Sequence, residues 1–240
     1  MTFCVAAKVN SGLVALADTR IVKGNEQSRK GKVAHVNHSE GNLFFMTSGL
    51  RSVRDKTSIY FEARLAEKQK GEICHMFEAA NLFGECLRRV KEEDGASLAA
   101  ANFSFNLHAI IGGKFSADKE PCLFYIYPQG NWVEATSDAP YHMIGQTSYG
   151  KPILDRLLDI TCSLSETLAL LFLAFDGTRA SVTDVGFPID CIVLDGGSGI
   201  MKRERFTMAD LQETTHWWTS TLQSALVNFP LEWSKDLLKP

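Results

Sequence analysis

MTFCVAAKVNSGLVALADTR, residues 1–20, decides how the rest of the chain is read. Thr2 to Val9 alternates and is β-prone, Asn10-Ser11-Gly12 has turn chemistry, and Leu13 to Ala17 runs back as a second strand. The predicted hairpin ends on Asp18-Thr19-Arg20, polar and charged residues at the rim of an otherwise apolar pair. One tight turn therefore carries Asp18 back to the level of Thr2. Met1 precedes a residue small enough for methionine removal, which would leave Thr2 with a free α-amine. A threonine hydroxyl beside its own amine is one way of pairing a nucleophile with a base. A Met-Thr start is common by itself. Thr2 together with Asp18, Arg20 and, further on, Lys32 is what gives it chemical meaning.

Outward from the hairpin, residues 21–31 read as a polar loop holding Lys23, Glu26, Arg29 and Lys30. Lys32 to Val36 reads as a short strand, and Gly41-Asn42 turns into a second, Leu43 to Thr47, punctuated by Ser48-Gly49. Two helices follow, about 50–70 and 73–92, the second closed by Asp94-Gly95. Strands return at Asn102–Ile111, ending in Gly112-Gly113, at Cys122–Tyr127 and at Asn131–Glu134, with Pro128-Gln129-Gly130 as a turn. Met143 to Gly145 is a short buried strand leading into a helix near Tyr149. Ser163 and Glu166 form a capping box for a helix reaching about Phe175. A hairpin over 189–206 and an amphipathic helix over about 208–227, carrying Trp217 and Trp218, close the pattern. Strands grouped with strands and helices with helices point to α+β layering, two sheets face to face with helices outside. No linker breaks the 240 residues, so one domain over 1–240 is expected.

Composition removes several classes of function. A net charge of -3 with 22% charged residues leaves no basic footprint, so no nucleic-acid partner is expected. The longest apolar run, Leu168 to Phe175, is too short to span a bilayer, so no membrane partner is expected. Lys8 interrupts the first apolar stretch, no secretory signal is visible, and a cytoplasmic location follows as an expectation. The six cysteines, Cys4, Cys74, Cys86, Cys122, Cys162 and Cys191, form no C-x-x-C pair and read as reduced residues, mostly in the core. His35 and His38 lack a third ligand at a recognisable spacing, so neither a metal nor a cofactor is expected.

Taken together, the chain resembles the proteasome β-type subunits, and among them the bacterial Anbu (ancestral β-subunit) family. The resemblance rests on MTFCVAAKV (1–9), ALADTR (15–20), KVAHV (32–36) and FFMTSGL (44–50). FFMTSGL is more discriminating than the threonine start, as are IGQTSYGKPILDRLL (144–158), VGFPIDCIVLD (185–195) and LVNFPLEW (226–233). The resemblance implies a four-layer αββα sandwich of the N-terminal-nucleophile hydrolase type, acting on a peptide or amide within a homo-oligomer, a ring or ring-like helical array. Residue by residue it implies Thr2 as nucleophile, its freed amine as general base, and Asp18 as the buried carboxylate. It further implies Lys32 as the lysine opening the third strand, Arg20 as the arginine of the D-x-R motif, and the backbone N–H groups around Ser48-Gly49 as oxyanion donors. Active proteasome subunits add an aspartate and a serine near the end of the second helix pair. Here residues 179–186 read RASVTDVG, the polar types transposed, with Ser181 and Asp184 as the supporting candidates.

The residues themselves leave alternatives open. Asp18 and Lys32 could be a buried ion pair that merely positions a hairpin. Three activities are then consistent with the chain: a threonine-type peptidase or amidohydrolase, a catalytically silent scaffold, and acyl transfer to an amine in place of water. Cys4 reads as core, and Trp217 and Trp218 as packing or subunit contact. The sequence specifies neither a substrate, nor a subunit count, nor an ATP-driven partner.

Overall fold

The computed structural model describes residues 2–23, 26–29, 31–235 and 237, in two compact units, Met1–Arg205 and Phe206–Pro240. In the first unit the expected hairpin is present as β1 (Phe3–Val9) and β2 (Gly12–Asp18), with Cys4 opposite Ala17 and Val9 opposite Gly12. Every residue of both strands is buried. An antiparallel pair covered on one face would bury only alternate residues, so this pair is covered on both.

The covering layers follow from the strand orders. One sheet runs β10-β1-β2-β11-β12, with β10 Tyr141–Gly145, β11 Ile189–Asp195 and β12 Met201–Phe206. The other runs β5-β6-β7-β8-β9, from β5 Val33–His38 and β6 Gly41–Gly49 through β7 Leu107–Phe115, β8 Cys122–Ile126 and β9 Trp132–Glu134. Cys4, Ala6, Ala15 and Ala17 of the first sheet meet Phe44, Met46, Ile110 and Leu123 of the second in a middle core. Outside the second sheet lie α1 (Arg51–Ala66) and α2 (Met76–Ala100), where Phe45, Phe61 and Phe83 pack with ring centroids 5.2–5.6 Å apart. Outside the first sheet lie α3 (Lys151–Leu157) and α4 (Leu164–Ser181), with Phe3 edge-on to Phe175 at 5.9 Å. This is the αββα sandwich, an α+β fold.

Several boundaries differ from the sequence reading. Residues 21–31 are not one loop: β3 (Arg20–Lys23) pairs antiparallel with β4 (Glu26–Arg29). The β-branched Ile21-Val22 pair carries strand propensity that the surrounding charges hide, because polarity marks exposure and not the absence of pairing. Asp94-Gly95 does not close α2. Lys56 of α1 reaches Glu93 at 2.7 Å and Asp94 at 2.8 Å and ties this stretch of α2 to α1, although glycine is a poor helix former. The helix runs to Ala100, and Asn102 follows in the left-handed region at φ 59°. Consequently β7 begins at Leu107 and continues through Gly112-Gly113. A Cβ on Gly112 would stand 2.8 Å from the Phe44 ring and 2.9 Å from Leu123, so this glycine serves packing and does not end the strand. The Ser163–Glu166 box caps α4 as expected, although the helix extends beyond Phe175 to Ser181.

In the second unit, α5 (Gln212–Val227) has no buried residue, and Trp217 is 60% exposed, so this tryptophan is not a core residue. All six cysteines are unpaired. No helix is long and apolar enough to cross a membrane, and no group of three His, Cys, Asp or Glu able to hold a metal occurs among the described residues.

One partly buried group carries a pH dependence. His142 of β10 lies beside Tyr125, its Nε2 without a hydrogen-bond partner among the described residues, and burial lowers its pKa from 6.5 to about 4. The folded state thus keeps this imidazole neutral while the unfolded chain takes up a proton below pH 6.5. Stability from this group is fully present above pH 6.5 and is lost as the pH falls towards 4. Each tenfold difference in proton affinity between the two states is worth about 1.4 kcal/mol, so the loss is roughly 2–3 kcal/mol. Urea unfolding at pH 7.5 and 4.5 should show His142→Gln with a correspondingly smaller drop than the parent. Equal drops would place the pH dependence elsewhere.

Candidate active site

The hairpin register makes Phe3 and Asp18 the next step after Cys4 and Ala17, and the Phe3 amide donates to Asp18 Oδ1 at 2.8 Å. Lys32, just before β5, sends Nζ to that same oxygen at 2.5 Å and to the Arg20 carbonyl at 2.8 Å. The Lys32–Asp18 pair is shut away from water, the residues being 4% and 0% exposed. One carboxylate oxygen thus ties the lysine of one sheet to the backbone nitrogen that follows Thr2 in the other. Asp18 Oδ2 has no partner among the described residues. Burial pushes the Asp18 carboxyl above the usual carboxylate range, against the pull of Lys32 and of the backbone amides. Two of the three Nζ donors are occupied, and among the described residues nothing takes the third.

Thr2 is half-buried and is gripped through its backbone. Its carbonyl accepts from the Gln146 amide at 2.7 Å. Gly145 pairs with Phe3 and adopts φ +89°, and a Cβ there would fall 1.9 Å from the Thr2 carbonyl oxygen. The IGQ of residues 144–146 is therefore a backbone cradle for Thr2. Met1 lies outside the described residues.

Thr19 fastens the end of β2, its N–H and hydroxyl both donating to the Pro188 carbonyl, at 2.9 and 2.8 Å. Arg20 sends Nη1 to the Thr183 carbonyl at 2.9 Å, and Gly186 lies so close that a Cβ would stand 2.4 Å from the guanidinium carbon. Arg20 thus reaches the 183–186 stretch, while its own carbonyl holds Lys32. Ser48 and Gly49 end β6, next to Thr47, which lines a cavity of about 310 Å³ together with Lys32, Gly31, Arg54 and Ser58. Gly49 has φ +142° because the Asn106 carbonyl passes where a side chain would begin. Ser181 turns its hydroxyl back onto the Gly177 carbonyl of its own helix at 3.1 Å. Asp184 follows Thr183, the residue that receives Arg20. Cys4 is fully buried between the charges of Lys32, Asp18, Arg54 and Asp190, and burial pushes its thiol far up, which makes it inert as a nucleophile.

Sequence reasoning brought Thr2, Asp18, Arg20 and Lys32 together. It assigned no role to the Phe3 amide, Gly145, Gln146, Arg54 or Gly186. Glycines at 145 and 186 inside otherwise apolar or polar runs were the available signal, since a glycine off a turn often marks close backbone approach.

No protein-family model matches the chain, and no curated protein does. Solved structures do. "Anbu (ancestral beta-subunit) from Yersinia bercovieri" superposes with a TM-score of 0.87 at 30% identity, over 95% of this chain and 98% of that one. An Anbu (Gly-1) mutant from Hyphomicrobium sp. strain MC1 gives 0.86 at 29% identity, over 95% and 99%. The helical assembly of the Anbu complex from Pseudomonas aeruginosa gives 0.87 at 29%, over 95% and 97%.

Proposed function

We propose that this chain, which belongs to the Anbu (ancestral beta-subunit) family, is a threonine-type N-terminal-nucleophile hydrolase that cleaves peptide or amide bonds. The observation that carries this reading is the Lys32–Asp18 pair, hung on the Phe3 amide beside Thr2 and otherwise closed to water. Removal of Met1 exposes the Thr2 α-amine, whose ordinary pKa of about 7.7–8.0 already suits a base, and a neighbouring lysine cation lowers it further. The amine takes the Thr2 hydroxyl proton as Oγ attacks the carbonyl carbon. N–H groups around Ser48-Gly49 hold the oxyanion. Collapse breaks the C–N bond, the amine returns the proton to the leaving nitrogen, and an ester remains on Thr2. Water, deprotonated by the same amine, attacks the ester and releases the acid, restoring the threonine. An amine in place of water would give acyl transfer. Every step is carried by side chains and backbone, so the mechanism calls for no cofactor.

The whole chain, 1–240, acts as one subunit of a cytoplasmic homo-oligomer in this reading. The helical assembly of the Pseudomonas aeruginosa relative and the bare apolar side chains of α5 support it. A silent scaffold is the second reading, favoured by the Ser181 hydroxyl being turned away onto its own helix.

Intact mass should show Met1 removed, and β-lactones or epoxyketones should then add covalently to Thr2, with the adducted species well above the 26.6 kDa chain mass in light scattering. Tandem mass spectrometry finding no Thr2 adduct on chain confirmed to lack Met1 would hand the case to the scaffold.

A further inference from the structure

A second charged cluster lies against the same loop from the other side. Asp190 of β11 sits opposite Ala17, one step from the Ile189–Asp18 pair, and is 1% exposed. Arg205 of β12 grips it as a fork, Nε to Oδ1 at 2.7 Å and Nη2 to Oδ2 at 2.9 Å. Arg203, two residues away on the same strand face, adds Nη2 to Oδ2 at 3.2 Å. Gly31 stands over this cluster. A Cβ at Gly31 would meet Arg205 Nη2 at 3.3 Å, Asp190 Oδ2 at 3.4 Å and Arg203 Nη2 at 3.6 Å. Its φ is outside the left-handed region, and these distances are van der Waals contacts with side-chain tips, which place Gly31 directly beside the cluster. The residue before Lys32 therefore lies within van der Waals reach of a carboxylate–guanidinium cluster.

We propose that Asp190, through its fork with Arg205 and its bond to Arg203, is a positioning residue for Lys32, seating Gly31 so that the lysine meets Asp18 and the Arg20 carbonyl. A bidentate fork fixes direction as well as distance, which a single ammonium contact does not. Lys32 is thus set between two carboxylates: Asp18 takes its Nζ, and Asp190 fixes the backbone that delivers it. Among the described residues, the charged groups around this segment are Asp18 of β2, Arg54, Asp55 and Glu62 of α1, Asp190 of β11 and Arg203 and Arg205 of β12. The consequence for Thr2 rests on the reading of the preceding subsection; the consequence for Lys32 does not.

Two variants and two readouts separate these. Asp190→Asn keeps the shape and loses the charge, and Arg205→Lys, on a half-exposed side chain, keeps the charge and loses the fork. The first readout is the rate of reductive methylation of Lys32, followed by peptide mass spectrometry on folded protein, which needs no reactivity at Thr2. Lys32 should be protected in the parent and methylated on the order of tenfold faster in both variants. The second is the pH profile of β-lactone acylation at Thr2. Its rate should fall on the order of tenfold to a hundredfold, with the midpoint moving up towards the ordinary amine value as the cation recedes. Unchanged Lys32 protection in folded Arg205→Lys overturns the positioning role, whatever Thr2 does. Exposed Lys32 together with an unmoved acylation midpoint overturns the link to chemistry. A parent that never acylates defeats the hydrolase reading alone, and the methylation rates still decide the role of Asp190.

Discussion

Lys32→Ala is expected to lower Thr2 acylation at pH 7.5 by on the order of 10²-fold: the return of the amine to its ordinary pKa of about 7.7–8.0 accounts for only about threefold of this, and the loss of a fixed cation at the reacting centre for the rest. The reason is geometric. Lys32 is the cation joined through one carboxylate oxygen to the backbone amide that follows Thr2, with no partner for its third donor among the described residues. The same change strands Asp18 as a carboxylate with no exposed surface, at a cost of about 3–5 kcal/mol. Part of that cost is relieved by protonation, since burial already pushes the Asp18 carboxyl upward. Lys32→Arg should fail too, because a planar fork cannot place one compact cation on both Asp18 Oδ1 and the Arg20 carbonyl. Asp18→Asn combined with Lys32→Met removes both charges at once, so folding should recover while acylation stays absent. Stability from urea midpoints and acylation from intact mass thus give two independent axes. Lost stability with an unchanged acylation rate makes the pair structural. Rapid acylation in the double variant would show the role given to Lys32 to be wrong.

The parts of the site legible in the sequence were those fixed by local periodicity. A strand of period two and a short turn place Asp18 beside the start of β1, and no tertiary knowledge is needed for that. Lys32 opens a β-prone run, but its role beside Asp18 comes from the resemblance to the proteasome β-type subunits and not from spacing. The hairpin of β3 and β4 was not legible, since its charges resemble those of a solvated loop. Long-range pairing hid the rest. Gly145 acquires its role only because β10 lies beside β1, at a sequence distance that no periodicity reports. Arg203 and Arg205 lie in the second strand of the 189–206 hairpin, and only its pairing with β11 brings Asp190 beneath them. Ser181 shows the opposite failure, a residue of suitable type whose hydroxyl is used by its own helix.

Gly145→Ala should have an effect as large as that of Lys32→Ala, though it removes no functional group. At φ +89° an alanine carries about 1–2 kcal/mol of left-handed strain before any contact is counted. Its methyl would then lie 1.9 Å from the Thr2 carbonyl oxygen, 2.6 Å from the carbonyl carbon and 3.1 Å from the Thr2 Cβ. These neighbours are mostly backbone and cannot swing aside as a side-chain tip can. Either β10 withdraws from β1 or the Thr2 peptide turns, and both break the 2.7 Å bond from the Gln146 amide to Thr2. A misplacement of about 1 Å at a reacting centre costs on the order of 10²-fold in rate, so acylation should drop at least that far. Gly95→Ala is the matching control. It lies in α2, its Cβ would meet only Lys91 Cγ at 3.6 Å, and a helical glycine replaced by alanine gains roughly 0.5–1 kcal/mol. That variant should be slightly more stable and acylate at the parent rate. Gly145→Ala acylating as fast as Gly95→Ala would mean that the 144–146 cradle does not set the place of Thr2, and that the hydroxyl is held for chemistry by the Asp18 side alone.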